Sequence, residues 1–142
     1  EMCIRDRFKG GATIMGNYMG AVNCQNDVWE TSLGMGNMGL FFGSSEFDTA
    51  RTDPNVNVVA IGNLYRCEMA DNTQYGQGIR VSNYNPAGST NMKISSYFDS
   101  FIALGDLTNY TDAYADRGKV DLYSPHKTPV TGTVNGGTVT VN

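Results

Sequence analysis

The sequence predicts a mainly β protein in which antiparallel strands form a degenerate repeat, arranged as a β-sandwich or as a trimeric fibre. Three observations predict this class. The 142 residues include 17 glycines and 8 tyrosines, and residues that favour strands and turns outnumber strong helix formers. Short apolar segments alternate with loops rich in Gly, Asn, Asp and Thr. A short glycine motif recurs along the chain.

The recurring motif is a hydrophobic residue, then Gly, then Asn or Asp, then a second hydrophobic residue. A strand can bend at glycine because glycine tolerates positive φ, and a neighbouring Asn or Asp bonds its own backbone. The two longest copies are Val59–Tyr65 and Ile102–Thr108, and they precede the segments Gly78–Pro86 and Gly118–Pro125. We therefore expect units of roughly 40 residues that cover one another's apolar sides. The structural kinks are expected at Gly16, Gly36, Gly62 and Gly105.

The individual strands follow from alternation of apolar and polar residues. Asn91–Leu104 fits both a helical face and a strand, and its Ser and aromatic content favours a strand. Residues 129–142 predict a C-terminal β-hairpin, because the NGG sequence between two Thr/Val segments is typical of a tight turn. Other predicted strand segments are Thr13–Val22, Gly39–Phe42, Asn55–Tyr65, Ile79–Val81 and Val120–Leu122.

One domain is expected over residues 8–142. Residues 1–7 differ in composition from the rest and resemble an adapter-derived leader, so we set them aside, together with any conclusion about a signal peptide. The three cysteines match neither a zinc knuckle nor a CxxC pair. Cys24 and Cys67 are expected either to form one disulfide or to be two buried thiols, whereas Cys3 belongs to the leader.

The charges exclude some functions. The net charge is -4, and Lys and Arg are scattered, so no basic stripe exists for nucleic acid. No run of about 20 apolar residues exists for a transmembrane helix. Four aspartates between residues 106 and 121 could supply oxygen ligands to Ca²⁺, but they do not follow EF-hand spacing, and a solvated polar loop is the preferred interpretation. These are Asp106, Asp112, Asp116 and Asp121.

No catalytic set is predicted, and neither is a cofactor or a metal. His126 is the only histidine and lies between two prolines, without a GxSxG motif for a nucleophilic serine. Residues 34–39 match the bare GxGxxG string but lack its βαβ context. Nothing in the sequence pairs two carboxylates for glycoside hydrolysis. The acidic residues considered for that role are Glu30, Glu46 and Glu68.

The tyrosines suggest a binding surface. They lie among Asn, Asp and Gln, and sugar-binding sites combine flat aromatic faces with amide and carboxylate hydrogen bonds. The candidate ligand-binding residues are Asn109, Tyr110, Asp112 and Tyr114. The alternative interpretation is that these tyrosines are half-buried strand residues.

The AIGNL and ALGDL segments, GKVDLYSP and the terminal TVNGGTVTVN resemble the distal parts of phage tail fibres and minor tail proteins, over roughly Thr13 to Asn142. The resemblance implies a non-enzymatic virion appendage, extracellular and homotrimeric, that contacts a bacterial surface glycan. A secreted carbohydrate-binding β-sandwich is the first alternative, and a polysaccharide-degrading domain is the second.

Overall fold

All strand pairs in the described part of the chain are parallel. The computed structural model describes residues 12–22, 37–44, 57–69, 75–83, 92–123 and 127–142. The protein is mainly β, as expected, but the expected antiparallel arrangement is wrong. The strands are β1 (Ala12–Met15), β2 (Tyr18–Val22), β3 (Asn37–Ser44), β4 (Asn57–Ile61), β5 (Leu64–Met69), β6 (Gly76–Asn83), β7 (Lys93–Tyr97), β8 (Ser100–Gly105), β9 (Tyr110–Asp116), β10 (Lys119–Tyr123), β11 (Thr131–Val134) and β12 (Thr138–Val141).

The chain visits three sheets in cyclic order from β1 to β10, and the next described strand, β11, belongs to sheet 3. Sheet 1 has the order β1-β4-β7-β10-β12, sheet 2 has β2-β5-β8, and sheet 3 has β11-β9-β6-β3. Each return to sheet 1 adds a strand beside that of the preceding coil, so the molecule is a three-faced parallel β-helix and not a β-sandwich. Neighbouring coils lie about 4.8 Å apart. Alternation of side chains is the same in parallel and antiparallel strands, so the sequence pattern could not fix the strand direction.

The coils shorten along the chain. Ala12, Val58, Ile94, Val120 and Val139 occupy one row of sheet 1, which gives successive coil lengths of 46, 36, 26 and 19 residues. The coils differ in length mainly through the connections between strands, because the paired strands themselves stay short.

The expected repeat of roughly 40 residues is therefore wrong in its alignment. Val59–Tyr65 stacks on residues 95–101, and not on Ile102–Thr108. Gly118–Pro125 contains a strand of sheet 1, whereas Gly78–Pro86 begins in sheet 3. Segments of similar sequence therefore occupy different positions in their coils.

The core lies inside the β-helix. Alternate residues of each strand point inward, and the buried set includes Ile79, Val81 and Ile94. The rings of Tyr65 and Phe101, from sheet 2, stack with centroids 5.5 Å apart. They press against sheet 3, where a Cβ on Gly39 or Gly78 would come within 3 Å of these rings or of neighbouring backbone. Successive coils of the same chain therefore cover each other's apolar sides.

The C-terminal segment is a corner of the β-helix, and the predicted hairpin of residues 129–142 is wrong. β11 pairs with β9 in sheet 3, whereas β12 pairs with β10 in sheet 1. The NGG sequence still makes a tight turn, with Asn135 at φ 52° and Gly136 at φ 79°. This turn moves the chain from sheet 3 to sheet 1, so that each short strand satisfies its backbone hydrogen bonds on a preceding coil.

Three further expectations concern an ambiguous segment, the cysteines and the N-terminal residues. Asn91–Leu104 was ambiguous, and its described part is two strands, β7 and β8, joined by a corner. Cys67 is buried in β5, and its thiol donates to the carbonyl of Gln77 at 3.3 Å. The leader 1–7, Gly36 and Cys24 lie outside the described residues.

Candidate functional site

Two of the predicted glycine kinks form one corner of the β-helix, between sheets 1 and 2. Gly16 and Gly62 have φ of 66° and 61° and occupy equivalent places in successive coils. Gly105 also has positive φ, 86°, but it lies at the end of β8, where sheet 2 ends. The motif therefore marks the same corner twice and a different corner once, since any sharp bend that needs positive φ favours glycine, and a following Asn or Asp can bond the local backbone.

The Asn of this motif builds a ladder along the corner. Asn17 donates its backbone N–H to Oδ1 of Asn63 at 2.9 Å, and Asn63 donates its own to Oδ1 of Asp99 at 2.7 Å. The Asn63 amide also donates to Asp99 Oδ1 and to the Ile14 carbonyl, both at 3.0 Å. The ladder satisfies backbone groups that the corner removes from the sheets. It is structural, because Asn63 and Asp99 are buried.

Asp99 ends the ladder within the described residues. Its second oxygen accepts from the Ser96 hydroxyl at 2.7 Å. Burial raises the pKa of this carboxyl above its usual value of 3.8, and the hydrogen bonds from Ser96 and Asn63 only partly oppose that rise. Burial disfavours the charged form of a carboxyl group, so the buried carboxylate of Asp99 lowers the stability of the folded protein.

Two of the predicted ligand-binding residues are inside the protein. Tyr110 donates its hydroxyl to Asp112 Oδ1 at 2.9 Å, and Asp112 Oδ2 accepts the backbone N–H of Val130 at 2.9 Å. Burial, and then the charge of Asp112, raise the pKa of Tyr110. Lys127 places its ammonium 3.5 Å from Asp112 Oδ1. This pair holds the returning chain ahead of β11 and does not present an aromatic face to a ligand.

The remaining aspartates of the predicted cluster do not come together. Asp106 accepts from the hydroxyl and the backbone N–H of Thr108, at 2.6 Å and 3.0 Å, and these bonds lower its pKa. Asn109 accepts the Gly76 N–H on its carbonyl. Asp121 pairs with Lys93 at 2.7 Å. Among the described residues, no group of three or more His, Cys, Asp or Glu side chains is arranged to hold a metal ion.

Of the predicted ligand residues, Asn109 and Tyr114 are partly exposed, and Tyr114 is the aromatic one. It points outward from sheet 3, with the guanidinium of Arg80 4.9 Å from its ring centroid. Register places Phe41 beside Arg80 and Gly132 beside Tyr114. The Tyr114 ring overlies Gly132, where a Cβ would stand 2.8 Å from the ring. Planar groups from three coils, Phe41, Arg80 and Tyr114, thus form one row on the outward side of sheet 3, in which Phe41 and Tyr114 are partly exposed and Arg80 is buried.

A polar row runs next to this planar row. Arg80 donates to the Ser82 hydroxyl at 3.4 Å, and Ser82 donates to Asp116 at 3.4 Å. Asp116 Oδ1 accepts from the Asn135 amide at 2.9 Å and lies 3.5 Å from the Arg117 guanidinium. Arg80, Ser82 and Asp116 are buried, so the groups of this row that can reach the hydroxyls of a sugar are the Arg117 guanidinium and the Asn135 amide.

Part of this surface could have been predicted from the sequence. Arg80 and Ser82 alternate with Ile79 and Val81 along β6, so their direction away from the core is readable from the alternation, although all four residues are buried. Their proximity to Tyr114 is not readable, since it depends on a register between strands separated by a long connection.

No known protein family matches the chain, and no curated protein or solved structure has significant similarity to it. Within the described ranges, none of the secondary structure is a helix of the length and apolar character that a membrane span requires. The outer face of sheet 3, with its planar row and its polar row, is the candidate functional site.

Proposed function

We propose that the chain is a non-enzymatic segment of an extracellular virion appendage of the tail-fibre kind, which contacts a bacterial surface glycan through the outer face of sheet 3. The observation that carries the proposal is the planar row beside the polar row. Phe41 and Tyr114 offer stacking surface, the buried Arg80 guanidinium lies against the Tyr114 ring, and Arg117 and Asn135 offer donors at the margin.

The fold supports this proposal. A parallel β-helix buries its apolar residues between coils, so that the outward residues are available for recognition. Coil stacking also sets a regular spacing of about 4.8 Å along the axis, against which an extended polysaccharide chain can lie. The resemblance of the strand and turn sequences to phage tail fibres adds the expected location, the virion surface. The expected homotrimer remains a prediction.

Binding of the purified chain to a panel of bacterial lipopolysaccharides and capsular polysaccharides tests the proposal. We expect Tyr114→Ala to weaken binding to a recognised polysaccharide at least about tenfold, because stacking and hydrogen bonding both depend on that ring. Tyr75→Ala is the matched control, since Tyr75 is exposed at the start of β6 outside the two rows. Failure to bind any polysaccharide, or equal losses in the two variants, contradicts the proposal.

The same assay separates attachment from degradation. A glycosidase needs two carboxyl groups that flank the scissile bond, and the one carboxylate among the described residues of the candidate surface, that of Asp116, is buried. We expect the bound polysaccharide to keep its length on incubation, as measured by size-exclusion chromatography. Shortening would favour the polysaccharide-degrading alternative.

A further inference from the structure

The corner between sheets 1 and 2 carries an exposed apolar surface. Met15, Tyr18 and Phe98 are 64%, 62% and 61% exposed. Parallel register brings the half-buried Ile61 between Met15 and Tyr97, and it brings Leu64 beside Tyr18. We call these six residues, Met15, Tyr18, Ile61, Leu64, Tyr97 and Phe98, the corner surface.

Phe98 is the residue of this surface that the fold does not need. It has φ 55° at the place where the two preceding coils have Gly16 and Gly62. A left-handed backbone costs a residue with a side chain about 1–2 kcal/mol relative to glycine. Because the ring is mostly exposed, packing within the coil returns little of that cost. A strained and exposed aromatic residue indicates a contact outside the chain.

The size of the corner surface fits a protein interface. A fully exposed large side chain presents about 200 Å², so Met15, Tyr18 and Phe98 leave about 350–400 Å² uncovered. On the neighbouring face of sheet 2, Ile102 and Leu104 are 41% and 44% exposed and bring the sum to about 500 Å². A stable interface of standard size buries about 800 Å² per partner, of which somewhat more than half is apolar.

The charges around the corner surface favour a second copy of the same chain. On one side Arg66 pairs with Glu68 at 2.8 Å, and on the other Lys93 pairs with Asp121 at 2.7 Å. These four charges cancel within the chain, so two identical surfaces can approach without like-charge repulsion. An apolar centre with a polar margin is the usual anatomy of such an interface.

A sugar fits this surface less well. The rings of Tyr97 and Tyr123 stack on each other, with centroids 4.5 Å apart and planes 10° apart, which covers one face of each ring. Four of the six residues of the corner surface, Met15, Ile61, Leu64 and Phe98, have no side-chain group that can hydrogen-bond a sugar.

We propose that a second copy of this chain docks on the corner surface, with Phe98 as its central anchor. The proposal does not rest on glycan binding, which we place on sheet 3. Sedimentation velocity over a concentration series tests it. We expect the wild type to self-associate below about 100 µM and Phe98→Gly to weaken association at least tenfold. Thermal unfolding of Phe98→Gly is expected at or above the wild-type temperature, because glycine relieves the positive φ.

Val130→Thr is the matched control, because Val130 is 51% exposed away from this corner and threonine has nearly the same shape. A wild type that stays monomeric, or equal weakening by Phe98→Gly and Val130→Thr, overturns the proposal. If Phe98→Gly is unstable, the double variant Ile102→Thr, Leu104→Thr replaces it, and an unchanged association constant overturns the proposal. Glycan binding lost in Phe98→Gly while the wild type is monomeric assigns the surface to a sugar and also overturns it.

Discussion

Single side chains decide whether the corner between sheets 1 and 2 can form. Asn63 satisfies groups from both neighbouring coils, since it accepts from Asn17 and donates to Asp99 and to the Ile14 carbonyl. The Gly-Asn pair in the sequence was interpreted as a local bend. The structure shows that the same asparagine also connects coils, which sequence spacing alone could not reveal because the partners are 46 and 36 residues away.

Asn63→Ala removes the central member of this ladder. Because it leaves the N–H of Asn17 and the buried carboxylate of Asp99 with fewer partners, we expect the free energy of unfolding to fall by about 2–4 kcal/mol. Asn57→Ala, at an exposed position of β4, serves as the control and should change it by less than about 0.5 kcal/mol. Urea unfolding measures both. A similar loss in the two variants would contradict a structural role for the ladder.

Asp99→Asn changes the pH dependence of stability. The folded state raises the pKa of Asp99 above 3.8, so the folded protein holds this proton more tightly than the unfolded chain. Asp99 therefore lowers the free energy of unfolding as the pH rises from its unfolded pKa to its folded pKa, and this loss is complete above the folded pKa. We expect Asp99→Asn to gain stability relative to the wild type near neutral pH and to lose that advantage near about pH 3.

Asp106→Asn is the control of opposite sign. Hydrogen bonds from Thr108 lower the pKa of Asp106, so its contribution is favourable above the unfolded pKa and disappears as the pH falls through the folded pKa. Urea unfolding across pH measures both variants. A stability difference between Asp99→Asn and the wild type that does not vary with pH would refute the account of Asp99.

At the scale of elements, glycines at different corners differ in how closely neighbouring backbone approaches them. Gly62 faces open space, whereas a Cβ on Gly105 would clash with the Met69 carbonyl oxygen. The sequence predicted both kinks from one motif, and both have positive φ. It could not rank them, because the rank depends on how closely the neighbouring coil approaches.

We therefore expect Gly62→Ala to cost about 1–2 kcal/mol from backbone strain alone. Gly105→Ala should cost about 1–3 kcal/mol more, because the backbone of β5 or β8 must move. Thermal and urea unfolding of the two variants measure this order. Equal costs, or a larger cost at Gly62, would contradict a close approach of the Met69 carbonyl to Gly105.

Asp112 fixes the last coil to the coil before it. Its carboxylate accepts from Tyr110 and from the backbone of Val130, and an asparagine can keep only one of these bonds as an acceptor. We expect Asp112→Asn to speed amide hydrogen exchange in residues 127–142 by about tenfold or more, with little change in β5 and β6.

Asp121→Asn is the control for this element, because it removes an ion pair with the partly exposed Lys93. Such pairs contribute little to stability, so exchange in residues 127–142 should stay close to that of the wild type. Uniform acceleration of exchange over the whole chain in Asp112→Asn would argue against a local role.

At the scale of the whole molecule, much of the strand content was readable and the topology was not. Alternation found strands at Val58–Ala60 and at Val120–Leu122, both of which are in sheet 1. Nothing in alternation distinguishes a return to the same sheet from a hairpin, and the unequal coil lengths hide the repeat. The candidate site was readable only through Tyr114, since its neighbours come from other coils.

The most direct test of the parallel coil stack is a distance between its two ends. Thr13 and Thr140 lie outward in one row of sheet 1, four coil steps apart. Spin labels at these positions, with Cys3, Cys24 and Cys67 replaced by serine, allow a dipolar EPR measurement. The β-helix predicts a single narrow distribution near about 20 Å. A distribution centred beyond about 35 Å, or one too broad to define a distance, would contradict it.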